Sequence, residues 1–150
     1  MKITIETNPV PLARTRFSKG RAYLPERSRN YRELIQAATV LQLPKDFAPY
    51  DDEISCRLKF YHKYKRSARI FGDIDNHIKA VLDALQGILF KDDAQIVSCR
   101  AEKYTDKNNP RVEIEIKKAV NDDFEPNSTY DSIQSETVLK DTCMPFGYAY

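Results

Sequence analysis

The segment over residues 72–87 constrains the fold more than any other. Ile74, Ile78, Val81, Leu82 and Leu85 recur at helical spacing, Gly72 and Asp73 mark the start, and Gly87 is placed just past the end, where a left-handed residue closes a helix. Alternating segments flank this helix. Upstream, Ile54, Cys56, Leu58 and Phe60 alternate with Ser55, Arg57, Lys59 and Tyr61; downstream, Ile96, Val97 and residues 99–103 read as another strand. A strand, an amphipathic helix and a strand in this order require a sheet for the helix to cover. Met1, Ile3 and Ile5 alternate with Lys2, Thr4 and Glu6 as a first strand, stopped by Asn8, Pro9 and Pro11. A last strand carries Val112, Ile114 and Ile116, and the turn residues 106–110 before it predict a hairpin with its predecessor. Ser28 or Asn30 is placed to cap a further helix to about Leu43, with Leu34, Ile35, Ala38 and Leu41 on one stripe and Pro44 closing it. The expected order is β-α-β-α-β-β. The fold class is α/β of the α+β kind: a small mixed four-stranded sheet with two main helices, plus an irregular C-terminal tail.

With 150 residues the chain can bury a core without disulfides or a structural metal. The cysteines Cys56, Cys99 and Cys143 are far apart, supporting neither a disulfide framework nor a zinc site; Cys56 and Cys99 read as small buried residues. There is no apolar run of about 18 residues and no apolar leader in MKITIETNPV, which disfavours a spanning or secreted protein and makes cytoplasmic the default. The net charge of +2 conceals a split: residues 1–120 hold 23 Lys and Arg against 16 Asp and Glu, whereas residues 121–150 hold one Lys and six acids. The expected organisation is a basic domain over 1–120 and an acidic tail over 121–150, disordered or loosely docked.

Two stretches concentrate the positive charge. Residues 12–29 read as a long basic loop with Arg14, Arg16, Lys19 and Arg21, and residues 57–69 carry six basic residues, Lys65, Arg66 and Arg69 among them, with no acid. Such groups suit phosphate contacts, which bring affinity and steep salt dependence without sequence information. Phe17 and Tyr23 in the loop either wedge into opened DNA or pack back on the core.

The acids between these stretches carry the chemistry. Asp73 and Asp75 begin the central helix, and Asp92 and Asp93 follow its end by a short turn. Singly, each has a structural explanation: Asp73 as helix cap, Asp75 as a partner of the helix dipole and of Lys79, and Asp92-Asp93 as a turn. Together, if the following strand brings them into reach of one another, they are tolerable only around a cation, and an all-oxygen set suits Mg²⁺ or Mn²⁺. Asn76, Lys79 and Asp83 share the helix face opposite the apolar stripe, with Lys79 aimed at a phosphate or holding Asp75 and Asp83. His77 lies one residue off that face, as a solvated side chain or else a phosphate contact or proton-transfer group.

The pattern D-x-D-N-x-x-K-x-x-x-D-A-L over residues 73–85, then D-D-A-Q-I over 92–96, closely resembles the RusA family of Holliday junction resolvases. Pro9-Val10-Pro11, Arg14, Arg16, Phe17 and Tyr23-Leu24-Pro25 are similar as well, and the likeness covers about residues 1–118. The resemblance implies an endodeoxyribonuclease, a homodimer that binds four-way DNA junctions and resolves them by paired symmetric nicks in DNA recombination and repair. It implies Mg²⁺ or Mn²⁺ as cofactor, with no membrane partner and no small-molecule cofactor. Asp73, Asp75 and Asp93 then bind metal, Lys79 is catalytic, and Asp92, Asp83 and Asn76 support them. Arg14, Arg16, Lys19, Arg21, Lys65, Arg66 and Arg69 contact DNA. One position departs: a basic residue precedes the first Asp in the family's best-studied members, where this chain has Gly72 and Arg69 is the candidate substitute. The alternative is a catalytically inactive basic accessory protein of prophage origin that binds junctions.

Overall fold

In the computed structural model the strand β4, Ile54–His62, is the element on which the others are built. The structure describes residues 1–18, 20–64 and 72–119. The expectations for Lys19, Lys65, Arg66, Arg69, Cys143 and the tail over 121–150 therefore lie outside the described residues.

On one face of β4, Ile54, Cys56, Leu58 and Phe60 are fully buried. Burial of this kind stabilises by ~1.5–3 kcal/mol per large side chain. A strand so apolar belongs inside a sheet, and β4 is hydrogen-bonded along both edges. It runs antiparallel to β6, Arg111–Lys118, and parallel to β5, Ile96–Thr105. The far edge of β6 pairs antiparallel with β1, Lys2–Ile5, giving the order β1-β6-β4-β5. Parallel neighbours need a crossover. The helix α2, Ile74–Leu85, supplies it between β4 and β5. A second helix, α1 over Glu26–Val40, packs beside α2, and together they cover the face carrying Ile3, Ile5, Leu58, Phe60, Ile114 and Ile116. The expected mixed α+β architecture with two helices and a four-stranded sheet is thus present.

The other sheet face is polar. Arg57 bonds Glu102 at 3.2 Å, Tyr61 stacks on Tyr104, and the Arg111 guanidinium lies 3.6 Å over the Tyr61 ring. Burial pushes the Glu102 carboxyl up, but the hydrogen bond from Arg57 and the charges of Arg57 and Arg100 hold it on balance below its ordinary value.

Five local expectations are corrected. The predicted hairpin of the last two strands does not form, because β4 lies between β5 and β6. Both β6 and β4 carry buried rows that favour interior positions, so the turn at 106–110 carries the chain past the end of β4, where the Asp106 N–H bonds the His62 carbonyl at 2.8 Å. Residues 12–29 are not all loop: Arg16–Ser18 (β2) and Arg21–Tyr23 (β3) form a two-stranded antiparallel sheet. In α1 the buried row is Ser28, Tyr31, Ile35 and Thr39, while Leu34 and Leu41 are exposed. The helix starts at Glu26 after Pro25, so Ser28 does not cap it; its hydroxyl instead accepts the Ala13 N–H at 3.2 Å. Cys56 is buried as expected but Cys99 is exposed, since it sits on the edge strand.

Candidate active site

The N-terminus of α2 is set by the close approach of the Pro11 ring to the backbone at Gly72. Gly72 has φ +63°, and a Cβ there would lie 2.9 Å from Cγ of Pro11, so only glycine fits. This accounts for the missing basic residue before Asp73. A cation reaches the spot from elsewhere: Nζ of Lys103, on β5, donates to the Gly72 carbonyl at 2.8 Å. Sequence reading missed Lys103. Its register with Phe60 on the helix-covered face, where lysine is rarely placed without a polar task, emerges only once β4 and β5 pair.

Asp73 occupies the N-cap position, yet its side chain makes no capping hydrogen bond. Asp75 stands in the first turn; both acids are exposed, and among the described residues no ion pair joins Asp75 to Lys79. Two carboxylates therefore face solvent at the positive end of a helix dipole, where negative charge is stabilised. Asn76, Lys79 and Asp83 do share the outward face, with Lys79 exposed. His77 is the exception. It is fully buried, 5.1 Å from the Phe60 ring and 5.0 Å from the His62 ring, so it is neither solvated nor a phosphate contact.

At the other end of α2, Gly87 takes φ +80° as expected and the chain turns back toward β5. Asp92 accepts the Ala94 N–H at 2.8 Å, and the Gln95 side chain returns to the Asp92 N–H at 2.9 Å, a reciprocal capping box around the 3-10 turn Asp93–Gln95. Gln95 also donates to the Tyr50 carbonyl at 2.9 Å. Two members of the D-D-A-Q run thus build the turn, and the third, Asp93, is presented to solvent. Within one chain Asp93 does not meet Asp73 and Asp75. The 12 residues of α2 span ~18 Å. From Ile96 to Lys103, beside Gly72, β5 spans ~23 Å in the opposite direction. Among the described residues no three His, Cys, Asp or Glu side chains gather as a metal site.

The basic arm is tied to both helices at its root. Its base is fixed where Leu12 donates to the Asn76 carbonyl at 2.9 Å and Ala13 to Ser28. Arg14, Arg16 and Arg21 are exposed along it, and Phe17 is 78% exposed rather than packed on the core. The arrangement combines uncommitted carboxylate oxygens, which suit a hard divalent cation, with guanidinium groups that suit phosphate.

Comparison with known proteins agrees with this chemistry. The family model described as "Endodeoxyribonuclease RusA" matches residues 6–117. A curated relative, "Uncharacterized protein YqaN" of Bacillus subtilis (strain 168), is 26% identical over 136 residues, covering 78% of this chain and 95% of the relative.

Proposed function

Since the chain belongs to the RusA endodeoxyribonuclease family, we propose that it is a divalent-metal-dependent resolvase of four-way DNA junctions acting as a homodimer. One observation carries the reading: at the start of α2, Asp73 and Asp75 are exposed and Asp73 forgoes the capping bond its position offers. A cap left unmade gives up about 1 kcal/mol of helix stability, which fits a carboxylate kept for another ligand.

One chain supplies only part of a donor set for Mg²⁺ or Mn²⁺, which a second copy would complete. Asp73 and Asp75 would hold the ion from one copy and Asp93 from the second. What favours a second copy is that β5 is an edge strand with Val97 and Cys99 exposed. Two such edges paired antiparallel about a two-fold axis near Ser98 bring the start of one β5 beside the end of the other. Asp93 of one copy then arrives next to Lys103, Gly72 and Asp73 of its mate. An ion held there would activate a water and neutralise charge on the phosphoryl group. The chain's own residues do the rest. Lys79 holds the scissile phosphate, Asp92 and Asp83 keep their neighbours in place, Asn76 anchors the arm through its carbonyl, and Arg14, Arg16 and Arg21 grip flanking phosphates. Phe17, standing out from the arm, wedges between bases at the branch point. We assign Lys19, Lys65, Arg66 and Arg69 to phosphate contacts from their charge.

Cleavage of synthetic four-way junctions with Mg²⁺ or Mn²⁺ tests the reading. Paired nicks are expected from the native chain. Asp73→Asn should cut at least 100-fold more slowly while binding the junction as well or better, because losing an acid lowers repulsion of phosphate. Binding lost together with cleavage would contradict the roles given. An accessory protein without catalysis would bind junctions and nick none under any metal or pH.

A further inference from the structure

Between the base of the arm, α1 and α2 lies a cavity of about 300 Å³ that shares Lys79 and Asp83 with the proposed nicking site but is otherwise lined by residues given no part in it. Its size is at the low end for small-molecule pockets, ~300–1,000 Å³, which suits one flat heterocycle and not a chain segment. Val10, Leu24 and Ala80 give it apolar walls, while Arg32, Lys79 and Asp83 bring charge to its lining. Arg32 is fixed there by donating to the Asp83 carbonyl at 2.8 Å. Tyr31 also lines the cavity and is only 5% exposed; its hydroxyl lies by the Val10 backbone but makes no well-formed hydrogen bond. A tyrosine hydroxyl both donates and accepts, so beside the Val10 backbone it keeps hydrogen-bonding capacity for a ligand in the cavity.

We propose that this cavity receives one unstacked nucleobase of the DNA strand whose phosphate lies at the Asp73 and Asp75 end of α2; the proposal rests on the nuclease reading above. Apolar walls match the faces of a base, and the Tyr31 hydroxyl, Arg32 and Asp83 match its hydrogen-bonding edge. The location agrees. Lys79 lines the cavity and stands one turn, ~6 Å along the helix, beyond Asp75. Thr15, between Arg14 and Arg16 on the arm, lines it too, so a strand whose phosphates follow the arm passes over its mouth. Bases at a branch point are the least costly in a junction to unstack. The cavity therefore reads a base beside the cut, and the nuclease gains sequence preference from a pocket on one chain.

The test walks a single abasic nucleotide through the positions flanking the cut in four-way junctions and follows cleavage by the native chain. One position within two nucleotides of the cut should slow cleavage at least tenfold, the others less than threefold. Leu24→Trp, which fills the cavity, should cut intact junctions about as slowly as the native chain cuts the abasic one and lose little more at that position. Tyr31→Phe should narrow the rate differences among the four bases placed there. A 2-aminopurine at the same position should brighten on binding the native chain without metal, a readout that needs neither variant to fold and no cleavage. A uniform response to abasic positions, or no brightening, overturns the pocket while leaving the nuclease intact. Brightening without any cleavage keeps the pocket and overturns the nuclease reading.

Discussion

At Gly72 two independent constraints meet, a left-handed backbone and the ring of Pro11 in the place a Cβ would take. Gly87 shares the first constraint only, since nothing lies within 4 Å of its missing Cβ. Gly87→Ala should therefore cost about 1 kcal/mol in thermal or urea unfolding, and Gly72→Ala roughly 2–3 kcal/mol as the arm is pushed off α2. Equal losses would show that the arm does not press on this turn. Glu102 makes a prediction about pH. Its carboxyl lies below the ordinary value of about 4.3, so its pairing with Arg57 stabilises the fold above that pH and is lost as pH falls through the lower folded value. Glu102→Gln should lower stability by roughly 0.5–1 kcal/mol at neutral pH. Against native protein, that gap should close as pH falls below the ordinary carboxylate range; a gap unchanged in acid would mean that packing, not charge, is lost.

Among the elements, the arm and β5 have distinct tasks. Phe17 contributes little to the core, so Phe17→Ala should leave unfolding unchanged while slowing junction cleavage; an equal drop in stability would make it structural. Removing Arg14, Arg16 or Arg21 should weaken binding to any DNA sequence and reduce the salt slope by about one per residue. β5 offers one exposed edge, and Val97→Lys should leave the fold in place but shift a dimer to monomer in ultracentrifugation and abolish nicking. The same elements show what the sequence could convey. Period-2 and helical repeats marked β1, β4, β6 and α2 because each buries one face. Strand order was harder: turn chemistry at 106–110 records a reversal, not which strand receives the chain, and only the burial of both β4 and β6 on the sheet interior decides it. His77 looked solvated because its neighbours Asn76 and Lys79 are polar, whereas the helix rotates it onto Phe60. Lys103 and the cavity were not legible, since both arise from contacts between segments far apart in the chain.

For the whole molecule, the acids we propose as metal ligands are the decisive matter. The sequence placed Asp73, Asp75 and Asp93 in one motif, and the fold holds them at opposite ends of α2, a separation that a 12-residue helix and an antiparallel return through β5 make unavoidable within one chain. The split of charge between residues 1–120 and 121–150 fits a DNA-binding domain, which we place over the first of these, with the acidic segment as an appendage. A dimer with two shared sites also suits paired nicks, one per copy. Mixing two inactive variants tests this most directly. Asp75→Asn and Asp93→Asn, each unable to nick a four-way junction alone, should after subunit exchange form mixed dimers in which one site has all three acids, restoring roughly a quarter of the native nicking rate. If the mixture stays inactive while native protein nicks and the subunits are shown to exchange, the acids do not act across two copies.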